Sequence, residues 1–418
     1  MRLWLVTIGE PVSLISTNRE RLHRTGALSR YLSEKGHQVT WWSSTFDHFK
    51  KKHLFESDTS YSLSERLHVR LIHGCGYRKN ISLSRIRDHK MIAGKFSNLA
   101  RTEKTLPEII VAAMPTIELS YEAVRYGKEN GVPVVVDVRD LWPDIFYEFI
   151  PKPFRAFARL GAYGIEQQSE FSLRNATGIT AVSSSYLNWA LAKGGRQKSD
   201  FDEVFPLGYQ RCSKSSFEFE CASAELCEMG VDRSKFICWF IGTFGETYDL
   251  APIIKTAKDF LSKGRLDVQF VFSGVGDNEA LWRKMAKGLS NVVFTGWVNS
   301  SQIECLGSTA KIGLAAYSKG APQSLPNKLF EYLSFGLPVL SSLAGEAEIL
   351  LRENACGYSY HAANSDEFAK YLETLIRDTV ILNRMSGNAE KLFNSKYAAE
   401  AIYPSYLNYL EKMVEHNA

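Results

Sequence analysis

The stretch SLPNKLFEYLSFGLPVLSS, Ser324 to Ser342, sets a problem in helix chemistry. Ser324 is a capping residue type, Pro326 suits a first turn and Gly336 supplies a left-handed stop, so the punctuation predicts a helix from about Leu325 to Phe335. Leu325, Leu329 and Leu333 recur at helical spacing as its buried stripe. Lys328 then falls in the first turn, where unpaired N–H groups and the positive end of the dipole disfavour a cation unless an anion binds beside it. Glu331, one turn on, shares its face and is placed to accept hydrogen bonds from a diol such as ribose. The competing reading is an exposed i,i+3 ion pair of little energetic weight.

Two upstream stretches favour the anion. After the apolar run FICWFIG comes GTFGE, with Gly242, Thr243, Phe244 and Gly245, whose small residues let backbone amides approach a phosphate. SGVGDNEALWRKM repeats the pattern with Gly274 and Gly276. Either Gly-x-Gly alone is equally a tight strand-to-helix turn. Three strand ends of this kind in one domain point to the carboxyl-end crevice where open α/β sheets bind ligands.

The rest of the chain fits such sheets. Apolar runs alternate with helical periodicity in two series, RLWLVTI to GITAVS and FICWFIG to PVLSS, which predicts α/β architecture with two doubly wound, Rossmann-like domains. The boundaries read 1–208 and 209–397, with RCSKSSFEFECASAEL as a polar loop after the first. The last segment, 398–418, carries Ile402, Tyr406, Tyr409, Leu410 and Met413 on one face and is expected to pack back on the first domain. At 418 residues with a formal charge of +4, the chain lacks the single-signed surface of a nucleic-acid binder. The seven cysteines form no C-x-x-C pair, and the opening MRLWLVTIGEP is too short in apolar residues for a signal peptide, so a cytoplasmic location is expected.

LPNKLFEYLSFGLPVLSS resembles the P-S-K-x-x-E-Y-L-x-x-G-x-P-V-I stretch of family 4 glycosyltransferases of the GT-B fold. VVVDVRDLWPD, Val134 to Asp144, is similar to the D-I-R-D-L-W-P stretch of their bacterial surface-polysaccharide branch, which includes fucosamine-transferase-like enzymes. KGHQVTWW, GITAVSSSY and VFPLGYQ match the family's order, so the resemblance spans nearly the whole chain. It implies two domains facing across a cleft, a nucleotide-sugar donor with UDP as the expected nucleotide, and transfer to a saccharide with the anomeric configuration retained. O-antigen, capsule or exopolysaccharide assembly would be the setting. A lysine, backbone N–H groups and a helix N-terminus aimed at the leaving diphosphate can stabilise its charge, so neither a cofactor nor a metal is expected. Lys328 would hold the diphosphate, Glu331 the ribose, and Gly242, Thr243, Phe244, Gly245 and Gly276 the phosphates from the other side. Gly296, Trp297 and Val298 of TGWV would contact the nucleobase, although Trp297 equally fits core packing. Gln323, Ser324, Leu325 and Asn327 would complete the donor site. Arg139 and Asp140 fall where many relatives place a histidine facing the reacting sugar; the other reading is a structural ion pair at a strand end. Asp140 is a candidate base, with the departing phosphate as the alternative.

The sequence departs from the family at two places. Eight residues before Glu331, where relatives carry glutamate, stands Gln323, which leaves the donor sugar open. The glycine pair usual after the first strand is replaced by STNRERLHRTG, in which Arg19, Arg21 and Arg24 suit either phosphate contact or a solvated face. Glu10, Arg24, Arg78 and Arg85 are the acceptor-side candidates. The segments YRKNISLSRIRDHKMIAGKF and FIPKPFRAFARLGAY interleave basic and apolar residues, which suits an anionic membrane surface on the inner face of the cytoplasmic membrane and a polyprenyl-diphosphate-linked acceptor; a solvated loop and a packed helix fit equally. Three other functions share parts of this pattern. A nicotinamide oxidoreductase would need a G-x-G-x-x-G opening the first helix, and LVTIGEPVSLIS has none. A non-catalytic GT-B scaffold binding a nucleotide sugar or glycan, and a sugar-nucleotide 2-epimerase, remain open.

Overall fold

The computed structural model describes residues 1–12, 22–80, 82–148, 150–211, 215–321 and 323–417. The chain divides into two compact units, Met1–Leu207 with Ile402–Ala418, and Gly208–Ala401. Arg19, Arg21 and Cys212 lie outside the described residues.

In the first unit the strands are β1 (Arg2–Val6), β2 (Gln38–Ser44), β3 (Phe46–Asp47), β4 (Lys52–His53), β5 (Thr59–Ser64), β6 (Leu67–Ile72), β7 (Ile109–Met114), β8 (Val134–Val138), β9 (Gly178–Ala181) and β10 (Asp202–Val204). Eight of them form one sheet in the order β10-β9-β8-β7-β1-β2-β6-β5, in which β5 alone runs antiparallel, while β3 and β4 make a separate ribbon. Every residue of β7 and β8 is buried, because helices cover both faces of this part of the sheet.

The second unit carries β11 (Phe236–Ile241), β12 (Val268–Ser273), β13 (Val292–Gly296), β14 (Ile312–Ala315), β15 (Val339–Ser341) and β16 (Gly357–Ser359). Their order, β13-β12-β11-β14-β15-β16, is entirely parallel and reverses direction between β11 and β14. That reversal is the topological switch point of a Rossmann-type sheet. Successive residues of β11 serve two cores: Trp239 meets the Tyr332 ring in one, and Phe240 the Phe272 ring in the other.

Two local readings change. The segment expected as a polar loop holds a helix, Ser216–Glu228, because Ser215 and Glu218 form a reciprocal capping box. The helix of the opening stretch spans Asn327–Ser334, with Pro326 at its N-cap and no side-chain cap; the Ser324 hydroxyl instead donates to the Glu346 carboxylate. The last helix, Ala399–Asn417, buries Tyr406, Tyr409 and Met413. Tyr409 donates to the Phe201 carbonyl at 2.9 Å, and the Tyr406 hydroxyl lies 3.1 Å from that of Thr180.

This helix closes over an ionic cluster centred on Asp137 of β8. Arg24 approaches the carboxylate at 3.0 Å through Nε, Arg139 Nε donates to it at 2.7 Å, and Thr180 Oγ1 at 2.8 Å. Burial alone would raise the Asp137 pKa, but Arg24 and Arg139 outweigh it and hold the carboxyl below its usual range. Its contribution to stability is therefore complete above the ordinary carboxylate range and is lost as pH falls below it. Removing it would leave two guanidinium groups without their shared anion. Asp137→Ala is expected to destabilise the protein by about 3–5 kcal/mol in urea denaturation; a loss within about 0.5 kcal/mol, as for an ordinary surface change, would mean that the cluster does not hold the unit together.

Candidate active site

At the switch point of the second unit, the helix Asn327–Ser334 is buried at every position from Lys328 to Ser334. Lys328 is 7% exposed and its Nζ has no hydrogen-bond partner. The amine lies 3.9 Å from the ring centre of Phe240, 3.8 Å from Tyr248 and 5.3 Å from Tyr317. Burial pushes its pKa well below the ordinary lysine value, and Glu331 opposes that shift. The ring faces also favour the ammonium form. An exposed ion pair is thereby ruled out: Glu331 is 6% exposed and accepts from the Tyr209 hydroxyl at 2.9 Å.

The glycines at the strand ends have different work. A Cβ on Gly242 would sit 2.8 Å from Lys328 Nζ, and one on Gly276 would sit 2.7 Å from the Phe244 carbonyl oxygen, so both positions demand close approach. A Cβ on Gly245 or Gly296 would meet nothing within 4 Å, although Gly296 has a φ of +70°. The amides of Gly242 and Phe244 donate to the carbonyls of Ser273 and Val275, so neither is available to an anion. The Phe244 side chain is fully buried beside Trp282, and Val298 belongs to the core; their side chains serve packing. Trp297 is 79% exposed, which removes the core-packing reading. Thr243 and Asn327 are exposed, Leu325 packs against the core, and Gln323 Oε1 is a second buried polar atom without a partner.

The first unit redistributes the acceptor-side residues. Arg24 is 4% exposed and donates to the carbonyls of Phe205 and Pro206 at 2.6 and 2.7 Å, besides pairing with Asp137. Glu10 accepts from Thr25 N at 2.9 Å and from Gly26 N at 3.3 Å, which caps the helix Arg24–Glu34, and it is also paired with Arg139. Glu10 and Arg24 are thus committed to the fold, and so is Arg139, whose pKa is held up by Asp137 and Glu10 against its burial. Its partner is not Asp140. The Asp140 carboxylate accepts from Leu141 N at 2.9 Å and Trp142 Nε1 at 3.2 Å, and burial raises its pKa. A carboxyl raised in this way suits proton transfer. Arg85 lies over the Trp142 ring at 4.5 Å and over Tyr77 at 5.4 Å, so it is not a free surface charge, whereas Arg78 is exposed. The sequence reading missed Tyr209, Tyr248 and Tyr317, since nothing in their local spacing distinguishes them from core aromatics.

The chain's Asp-x-Asp triplet, Asp200-Phe201-Asp202, is structural at its second member. Asp202 is buried, accepts from Ile179 N at 2.8 Å and pairs with Arg196 at 2.9 Å. Among the described residues no group of three His, Cys, Asp or Glu side chains is placed to hold a metal ion.

Residues 235–378, about a third of the chain, match the family described as glycosyl transferases group 1. No curated protein matches the sequence. Among solved structures, Anabaena HepE in complex with UDP is 15% identical, with a TM-score of 0.68 over 98% of this chain and 99% of that one. The sucrose-phosphate synthase of Thermosynechococcus elongatus is 12% identical, with a TM-score of 0.71 over 99% of each chain. WaaG, a glycosyltransferase involved in lipopolysaccharide biosynthesis, is 12% identical, with a TM-score of 0.64 over 97% and 98%. These likenesses cover both units and establish the fold as GT-B, two Rossmann-like domains.

The orphaned amine gives a test of the site. A buried polar group left without a partner costs about 1–3 kcal/mol, so Lys328→Met is expected to raise the unfolding free energy by about 1 kcal/mol while weakening UDP binding. The unfolded chain holds this lysine's proton up to about pH 10.4, whereas the folded chain has released it at a lower pH. Stability therefore rises with pH across that interval, and Lys328→Met should lack that slope. A destabilised variant with unchanged UDP affinity would mean that Lys328 serves packing alone.

Proposed function

We propose that the protein is a metal-independent, retaining glycosyltransferase of family 4 that moves a sugar from a nucleotide diphosphate, with UDP as the expected nucleotide, to a saccharide acceptor in bacterial surface-polysaccharide assembly. The observation that carries this reading is Lys328, a buried amine without a hydrogen-bond partner under Gly242 at the start of the helix Asn327–Ser334. The match of residues 235–378 to group 1 glycosyl transferases supports it, as do neighbours solved with UDP and UDP-glucose.

In the reaction, the bond between the anomeric carbon and the diphosphate breaks, and negative charge grows on the leaving oxygen. Lys328, as ammonium, and the positive end of its helix lie where such charge is best stabilised. Glu331, held by Tyr209, would take the ribose hydroxyls, and exposed Trp297 would stack on the base. Asp140 is the acceptor-side candidate for receiving the acceptor's proton, with the departing phosphate as the alternative. Gln323 replaces a carboxylate by an amide that both donates and accepts, so it bears on the choice of donor sugar.

The acceptor is read as lipid-linked, with the enzyme peripheral on the inner face of the cytoplasmic membrane. Of the two basic-apolar segments, the helix Leu83–Ala100 turns Ile92 and Phe96 into the core, while Phe154, Phe157 and Leu160 of the other are exposed. The latter segment therefore supports this reading, as does exposed Leu83 at the start of the former, whose body packs into the core. Among the described residues no helix is long and apolar enough to cross a membrane. In a transfer assay with UDP-sugars, Lys328→Met is expected to lose about 100-fold or more in turnover, as for one transition-state donor, and wild-type activity is expected to survive EDTA. Near-normal turnover in the variant would remove Lys328 from the mechanism, and activity abolished by EDTA and restored only by manganese would show that a metal supplies the charge.

A further inference from the structure

The first unit contains a cavity of about 390 Å³ between the start of the helix Leu83–Ala100 and residues 142–147 and 162–165. Small-molecule sites occupy roughly 300–1,000 Å³. Its walls include Ile86, Ile117, Trp142, Pro143, Phe146 and Ile165, a largely apolar lining. The polar side chains at its inner end are not open charges. His89 and Glu118 are 4% and 5% exposed, with Nδ1 and Oε2 3.8 Å apart. Burial, assisted by Arg85, pushes the His89 pKa down to about 3, and burial raises that of Glu118 toward its neutral form. Arg85 is the cationic side chain of the lining, fixed over Trp142 and donating to the Asn80 carbonyl at 2.8 Å. An apolar cavity with one anchored guanidinium is complementary to a hydrocarbon chain ending in a phosphate.

The surface beside it has the same chemistry. Leu83, on the cavity rim, is 84% exposed. The helix Arg155–Gly161 buries none of its residues and joins, through the cavity-lining Ala162, the helix Tyr163–Asn175. Phe154, Phe157 and Leu160 recur every three residues along it and are 61%, 72% and 73% exposed, with Arg155 and Arg159 between them. Exposed apolar side chains interleaved with arginine fit the headgroup boundary of an anionic bilayer.

We propose that this cavity binds the hydrocarbon chain of an anionic lipid phosphate, delivered from a membrane engaged by Phe154, Phe157 and Leu160, with Arg85 pairing to the phosphate. The inference deepens the transfer reading and rests on it for naming the lipid as acceptor; the binding itself does not depend on it.

Calorimetry on the full chain with farnesyl phosphate, dodecyl phosphate and inorganic phosphate tests this. Either lipid phosphate should bind at least tenfold more tightly than inorganic phosphate, and the difference between the two lipids tells an isoprenoid from an acyl-type chain. Ala162→Trp, which fills the cavity, should weaken lipid-phosphate binding tenfold or more with UDP affinity unchanged. If that variant melts early, Ile86→Ser takes its place with the same expectation. Lipid phosphates binding no better than inorganic phosphate, or equally well to wild type and the filled cavity, would overturn the proposal. Absence of UDP binding by the wild type would instead count against the transferase reading and leave the lipid result to stand by itself.

Discussion

The constraint on which the second unit turns is the placement of a lysine amine where nothing in the protein satisfies it. Lys328 is enclosed by Phe240, Tyr248 and Tyr317 and lies so close to Gly242 that no larger residue fits there without displacing the amine. The ring faces and Glu331 offset only part of the cost of this arrangement, since the amine loses water and finds no hydrogen-bond acceptor. The sheet order explains why it is tolerated here. β11 and β14 diverge at the switch point, and the helix after β14 brings its N-terminus to the crevice at their carboxyl ends. Stability given up at a site of this kind is the usual signature of function.

The first unit shows the opposite use of charge. Arg24 is as deeply placed as Lys328, and Arg139 and Glu10 are half-buried beside it, yet each is engaged, with Asp137 at the centre and backbone carbonyls or amides around them. What separates the two cases is the presence of partners. An arginine held at each of its nitrogens by carboxylates, carbonyls or a hydroxyl is fixed in the fold, while a lysine amine without a hydrogen-bond partner is poised for a ligand.

This contrast sets how much was legible in the sequence. The α/β architecture with parallel sheets was readable, because runs such as PVVVDV and FVFSG are continuous apolar strands and the glycines end them. Lys328 was readable because helix physics alone makes a first-turn cation anomalous. The full set of partners was not, since Asp137 and Tyr406 lie far along the chain from Arg24, as does Glu10 from Arg139, and they meet only in the fold. The capping box at Ser215 and Glu218 was overlooked because a polar composition hid a helix start. Nor could composition distinguish the two basic-apolar segments: both have the same residue types, but one turns its apolar side into a core and the other does not.

The central claim is that Lys328 is kept without a hydrogen-bond partner, its pKa lowered by burial, until a diphosphate arrives. Calorimetry of UDP binding in buffers of different ionisation enthalpy, followed from about pH 8, where a phosphate with a second pKa near 6 is already fully ionised, up to the ordinary lysine value at about pH 10.4, measures the proton exchanged as the bound anion raises the lysine pKa. The account predicts uptake of a proton with the wild type and its absence in Lys328→Met. Tight UDP binding with no proton exchange, identical in the two proteins, would contradict it.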